Sequence, residues 1–357
     1  MRQIPTEEAV GQVLCHDMTQ IVTDPDKPRF KGPRFKKGHV VREEDVPVLL
    51  SMGKRSLYVL ELEPGQLHEN DAAERLAALI EGPGVRRKND APSEGKIDLV
   101  ADVDGCLLVD GERLVAVNSV DDVMIATRQG NIAIKAGDDV AGTRVIPLVV
   151  GEDVLEKAEA AAGDEPLLTV RPFALKRAAI MATGSEVATG LIEDRFTPVI
   201  AKKLETYGIE TVMTAQPGDD ADALVACLHG MRDSGDVDLI VCTGGMSVDP
   251  DDNTPGAIKA SGARVVTYGA PVLPGAMMLM GYYEGVFGPS DPRTAPGLPV
   301  VGLPGCAMYN DATVFDLVLP RIAAGVELTK RDFVTLGEGG LCLRCPTCTY
   351  PHCPFGK

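Results

Sequence analysis

Residues 237–255, VDLIVCTGGMSVDPDDNTP, decide how this chain folds. Val237, Leu239, Ile240 and Val241 form a short, largely β-branched run that stops at Gly244-Gly245, the pattern of a buried strand feeding a tight turn. The glycine pair permits positive φ and lets backbone approach a ligand closely. Thr243 and Ser247 add hydroxyls, and Asp249, Asp251 and Asp252 add carboxylates. Thr254 is expected to cap a helix with Pro255 in its first turn. The stretch therefore reads as strand, binding loop and helix, the plainer alternative being a strand-to-helix turn with a solvated acidic tip.

Outward from this stretch, strands and helices alternate from Lys176 onward, the texture of an α/β layer fold with a mostly parallel sheet. RAAIMAT, IETVMTA, VDLIVCT, RVVTYG and LPVVGLPG read as strands. RFTPVIAKKLETYG and DADALVACLHGMRDSG read as helices, and a long final helix is expected from Ala307 to Ala324. Ligands in such sheets sit beyond the carboxyl ends of the strands. Three strand-end loops then define the expected site: TGSE at 183–186, TGGMS at 243–247 and GLPG at 302–305.

The N-terminal half has a different texture. EEDVPVLLSMGK predicts a short helix closed near Gly53, LYVLEL a strand, and ENDAAERLAALI a helix stopped by Gly82-Pro83. Between about Lys96 and Val150 the runs IDLVADV, CLLVD and LVAVN suggest a β-rich domain, with Asp104-Gly105 and Asp110-Gly111 as hairpin turns. Residues 27–42, KPRFKGPRFKKGHVVR, hold seven Lys or Arg and no acid; a solvated loop is the expectation, with a phosphate-greeting arm as the alternative. The division expected is an α+β segment over 1–65, a β-rich domain with a helix at each end over 66–172, the α/β domain over 173–335 and a Cys-rich tail over 336–357.

Composition bounds the function. With 357 residues and a net charge of −17, the chain suits several domains and argues against nucleic acid, whose phosphates reward clustered cations. No apolar run approaches the roughly 18 residues of a membrane span, and the N-terminus lacks a signal-peptide layout, so a cytoplasmic protein is expected. A small anionic ligand remains compatible, because salt screens distant charges beyond about 8 Å while a local nest of N–H groups acts at contact.

The three glycine loops, in this order and in one α/β domain, resemble the molybdopterin-binding domain shared by molybdopterin adenylyltransferases and molybdopterin molybdotransferases. The resemblance covers about residues 174–325, and AVGQVLCHD and KKGHVVREEDVPVLLSMG are similar in layout to the extra domains that molybdotransferases carry before this unit. It implies molybdopterin as substrate or ligand, cradled by Thr183, Gly184, Ser185, Thr243, Gly244, Gly245, Ser247, Gly302, Pro304 and Gly305. It also implies Asp252 as a Mg²⁺ ligand with catalytic help from Asp194 and Glu186, turnover with ATP or molybdate, and a homodimer. Magnesium wants hard carboxylate oxygens plus substrate phosphates, and phosphoryl chemistry needs positioning and charge neutralisation. Four departures stand against the catalytic pattern. Asp249 replaces the second glycine of GGxSxG, Arg195-Phe196 a Ser-Asn pair, Cys306 the Asn after GLPG, and Leu273 the Lys before Pro274-Gly275. A non-catalytic carrier or sensor for a molybdoenzyme, or a nucleotide pyrophosphatase of related fold, are the alternatives.

The nine cysteines are uneven. Cys342, Cys345, Cys348 and Cys353 crowd the tail in a C-x₂-C-x₂-C-x₄-C spacing that can wrap an Fe-S cluster or Zn²⁺. Met277, Met278 and Met280 are expected to be core or dimer packing.

Overall fold

The computed structural model describes the chain except residues 1, 23–29, 60–61, 185–190, 192, 248, 250–251 and 291–295. It divides into two compact units: residues 1–102, 109–128 and 136–169 form one, and residues 103–108, 129–135 and 170–357 the other. None of the described helices is long and apolar enough to cross a membrane.

In the first unit, strand Arg2–Pro5 pairs antiparallel with Ser56–Val59, and Met18–Val22 with Phe30–Phe35. Part of the basic segment is thus strand, while Lys27 to Arg29 lie outside the described residues. Ile4, Leu14, Leu49 and Leu57 fill the core beside helix Asp45–Ser51. A second, antiparallel sheet runs in the order Val85–Arg87, Lys96–Ala101, Asp139–Val145, Val123–Thr127. Both expected hairpins are overturned. Asp110 caps a helix, Gly111–Asn118, its carboxylate accepting from Arg113 N at 3.0 Å; Asp-Gly serves an N-cap as readily as a turn because the side-chain oxygen can accept from N3. Asp104-Gly105 closes no hairpin: it leads from Lys96–Ala101 into Gly105–Val109, which pairs in another sheet with Ile132–Ile134 and lies almost wholly in the second unit.

The second unit is an α/β domain. Its main elements are β1 (Arg177–Ala182), α1 (Phe196–Glu205), β2 (Glu210–Ala215), α2 (Ala221–Asp233), β3 (Leu239–Thr243) and α3 (Thr254–Ala260), then β4 (Arg264–Tyr268), β5 (Leu279–Glu284), β6 (Gly297–Leu303), α4 (Cys306–Tyr309), α5 (Val314–Ala323) and α6 (Lys330–Val334). The sheet order is β2-β1-β3-β6-β5-β4, parallel from β2 to β6 and antiparallel at β5 and β4. Every residue of β3 and β6 is buried, as strands covered on both faces require. Alternation sorts the faces: Ala178, Ile180, Leu239 and Val241 pack into one core with α1 and α5, while Ala179, Met181, Ile240 and Cys242 pack into another with α2 and α3. Helices on both faces make three layers.

Two differences from the sequence reading, in the final helix and at the start of α3, have local causes. The long final helix is two, α4 and α5, because Thr313 and Asp316 form a capping box that starts a new helix. Helix α3 is preceded by Asn253 as its N-cap, one residue earlier than expected, with Thr254 inside and Pro255 in the first turn. The methionine-rich run supplies β5, whose Met280, with Met278 just ahead of the strand, is fully buried in the sheet core.

Candidate functional site

The strand register brings the three glycine loops to one level. Thr243, the last residue of β3, pairs with Ala182 of β1 and with Leu303 of β6, so the three loops leave the sheet side by side. From β1 the chain crosses to β2 on one side, and from β3 it proceeds toward β6 on the other, so the β1–β3 junction is a topological switch point. Strand β4 runs parallel to β6, since each is antiparallel to β5, so Tyr268 ends at this same edge.

Side chains lock the first two loops together. Thr183 N donates to Thr243 O at 2.8 Å, and Thr183 Oγ1 donates to the same carbonyl while meeting Thr254 Oγ1, both at 3.2 Å. Gly244 (φ +84°) lies so close that a β-carbon would come within 2.6 Å of Thr183 O. At Gly245 (φ +54°) it would meet Thr254 Oγ1 at 2.8 Å. Only glycine supplies both the left-handed conformation and the clearance. Thr243 is fully buried, and its Oγ1 has no hydrogen-bond partner among the described residues. The third loop joins through Met246, which is buried and tucked over Gly302, where a β-carbon would sit 2.6 Å from Met246 Cε. Gly305 faces Phe196 at the start of α1. Pro304 accepts from Ala307 N at 3.0 Å and turns the chain into α4.

The acidic residues take roles the motif did not indicate. Asp252 Oδ2 accepts from Ser247 N at 2.8 Å, and its own N donates to Asp249 O at 3.0 Å, so this carboxylate closes the GGMS loop. Asp194 sits ahead of α1, accepting from Phe196 N at 2.9 Å, Thr197 N at 3.0 Å and Gln216 Nε2 at 3.2 Å. Burial pushes the Asp194 carboxyl up, but the bonds from Thr197 and Phe196 outweigh it and hold it below the usual carboxylate range. Asp194 and Asp252 share no hydrogen bond among those of the described residues. Glu186 and Ser185 lie outside the described residues, and Gly184 is in the left-handed half of φ space at +129°. Among the described residues no three His, Cys, Asp or Glu side chains are gathered closely enough to hold a metal ion, so neither Asp252 nor the tail cysteines form a ready ligand set.

Replacing Asp194 by Ala should cost about 0.5–2 kcal/mol, the range for losing a capping acceptor. Because its folded pKa is depressed, this contribution is complete above the ordinary carboxylate pKa and fades as pH falls through the depressed value. Urea unfolding at neutral and at acidic pH should therefore show the gap between variant and wild type narrowing in acid.

Sequence reasoning missed Tyr268 and Asn253. The Tyr268 hydroxyl donates to Met246 O at 2.9 Å and pins the loop from β4; burial, then the Asp252 charge, pushes this phenol up. Asn253 Nδ2 donates to Asp219 O at 2.9 Å, tying the loop to the turn before α2. The signal available was position alone: an aromatic ending a strand, and an amide ahead of a helix.

Two family models match the chain. One, described as a domain of unknown function (DUF8806), covers residues 3–61; the other, described as "Probable molybdopterin binding domain", covers residues 179–324. Among curated proteins, the CinA-like proteins of Mycobacterium marinum and Mycobacterium tuberculosis are 41% and 42% identical over 78 residues. That match is 22% of this chain and spans only 18% of the length of those relatives. Among solved structures, the molybdopterin biosynthesis enzyme MoaB from Thermus thermophilus is similar at a TM-score of 0.35 and 19% identity, over 43% of this chain and 99% of that one. The molybdopterin biosynthesis MoeA protein from Pyrococcus horikoshii is similar at 0.32 and 16%, over 72% of this chain and 79% of that one. Residues 179–324 of the α/β unit thus match the family model described as "Probable molybdopterin binding domain".

Proposed function

We propose that the second unit binds molybdopterin with its phosphate against the loops after β1, β3 and β6, and that the chain acts in molybdenum cofactor biosynthesis, in adenylation or molybdate insertion. The observation that carries this reading is the level exit of three glycine loops at a switch point, with Gly244 pressed against Thr183. Each phosphate contact at a loop or helix start is worth only about 0.3–1 kcal/mol, so convergence is what makes affinity.

Asp252 fits Mg²⁺ of the kind completed by substrate. One carboxylate oxygen is engaged by Ser247 N–H, and the other, without a hydrogen bond among the described residues, would face the ion, whose remaining positions water and substrate phosphates would fill. When bound, the ion would neutralise phosphate charge; Asp252 itself holds the loop closed, and Thr183 and Thr254 keep the glycine backbone aligned. ATP and molybdate are the proposed co-substrates.

A second reading, a non-catalytic molybdopterin carrier or sensor, is favoured by residues that replace the catalytic pattern. Cys306 is half-buried, its thiol pushed up by burial, and Leu273 offers an exposed apolar side chain where the related enzymes carry a cation.

The test is pterin binding, followed by fluorescence, and turnover with ATP or molybdate, on wild type and Asp252→Asn. The amide retains an acceptor for Ser247 N–H, so folding should be unchanged while turnover falls by about 10²-fold or more, the scale of losing a main electrostatic partner in the transition state. Absence of pterin binding by the intact protein would overturn both readings. Binding without turnover would leave the carrier.

A further inference from the structure

The Cys-rich tail is a motif that the pterin reading does not use. Its ends are anchored: Cys342 N donates to Leu273 O at 2.9 Å, Tyr350 OH donates to Asp316 O at 2.9 Å, and Phe355 is buried in the core of the second unit. Between these anchors the chain has neither helix nor strand, and Leu343, Cys345 and Cys348 are exposed. A segment of this kind, irregular and without a core of its own, is usually held by a covalent or metal crosslink. All nine cysteines are free thiols here.

The four tail cysteines nevertheless share one place. Cys342, Cys345, Cys348 and Cys353 all line a single cavity of about 280 Å³, whose other wall, Tyr309–Ala312, begins at the last residue of α4, the helix after the GLPG loop. The first C-x₂-C step is already bent for sulfur ligation. Arg344 takes a left-handed φ of +52°, and its N–H donates to Cys342 Sγ at 3.5 Å, a contact that stabilises negative charge on sulfur. The turn closed by His352 N donating to Thr349 O at 2.7 Å carries the longer x₄ spacing and leaves Cys353 on the same cavity as the other three.

We propose that these four thiolates hold an iron–sulfur cluster. The spacing favours the larger of the two thiolate-bound centres, since two overlapping C-x₂-C steps crowd four sulfurs about a lone Zn²⁺ at about 2.3 Å. The run C-x₂-C-x₂-C followed by a last Cys-Pro resembles that of cluster proteins with one extra residue before the closing pair Cys353-Pro354. In two-cluster ferredoxins the fourth cysteine serves the other cluster; here a single run exists, and its fourth thiol lines the same cavity. The thiols stand around the cavity without being gathered to ligating distance, so binding draws the exposed 343–349 stretch inward over the cluster.

The test uses the full chain, prepared anaerobically, reconstituted with ferric iron, sulfide and a thiol that reduces half of that iron, and desalted. The expected result is about four iron and four sulfide per chain with a broad visible sulfur-to-iron absorption. Cys345→Ser and Cys348→Ser remove exposed thiols, whereas Cys342 and Cys353 pack against the core. Both variants should lose the absorption and the bound sulfide while the metal-free proteins keep the circular dichroism and thermal midpoint of wild type. Zinc retained without sulfide, iron removed by desalting, or absorption that survives in both variants would each overturn the proposal.

Discussion

Gly244→Val is expected to abolish pterin binding and to destabilise the second unit by about 2–5 kcal/mol, the sum of a left-handed conformation imposed on a β-branched residue and of overpacking. The physical reason is double. At φ +84° the new side chain is strained whatever the space, and its β-carbon would lie 2.6 Å from Thr183 O and 2.8 Å from Thr183 Oγ1. Since backbone rather than a flexible side chain must give way, the loops after β1 and β3 would part. Gly256→Ala supplies the contrast. Gly256 lies in α3 with nothing within 4 Å of an added β-carbon and no positive φ, so alanine should stabilise by about 0.5–1 kcal/mol. Chemical unfolding of both variants, with pterin titration of each, separates loop geometry from a general intolerance of substitution.

Lys203→Met is expected to cost about 3 kcal/mol, near the lower end of what stripping one partner from a buried ion pair costs. Lys203 Nζ donates to Asp316 Oδ1 at 2.5 Å and to Asp311 O at 2.7 Å, and the two side chains are only 15% and 12% exposed. Methionine fills the space but leaves a carboxylate without its counter-charge. The loss stays at the lower end because Asp316 Oδ2 still accepts from Thr313 N and Thr313 Oγ1 in the capping box of α5. In the double variant with Asp316→Asn the charge is gone, so the combined cost should be clearly less than the sum of the single costs. Additive costs in urea unfolding would show that the pair is not coupled.

The α/β reading was legible because its carriers are local. The run from Val237 to Thr243 is too apolar for a strand with one wet face, and Gly244-Gly245 ends it at the residue where β3 ends. Helix signals worked where a carboxylate had one use, as at Asp220, which accepts from Ala223 N at 2.9 Å and starts α2. They failed where one residue type serves two geometries. Asp110-Gly111 suits a hairpin turn and a helix start equally, and only the following residues' packing selects the helix. Likewise Thr313 and Asp316 divide a stretch that reads as one continuous apolar helix. Among candidate site residues, the three glycine loops could be read from their motifs, but the task of each acid could not. Residue type alone does not separate Asp194 from Asp252, yet hydrogen bonding makes one an acceptor for the first N–H groups of α1 and the other the clasp of the GGMS loop.

The sequence by itself determined the alternation of strands and helices, the places where glycine must stand, and the crowding of four thiols in the tail, since each depends on residues close along the chain. Tertiary structure alone decided that Thr243 stands level with Ala182 and Leu303, that Tyr268 reaches the loop from β4, and that Cys353 shares a cavity with Cys342. These follow from strand order and register, which are set by burying two apolar faces of one sheet at once. No local stretch of sequence contains that requirement.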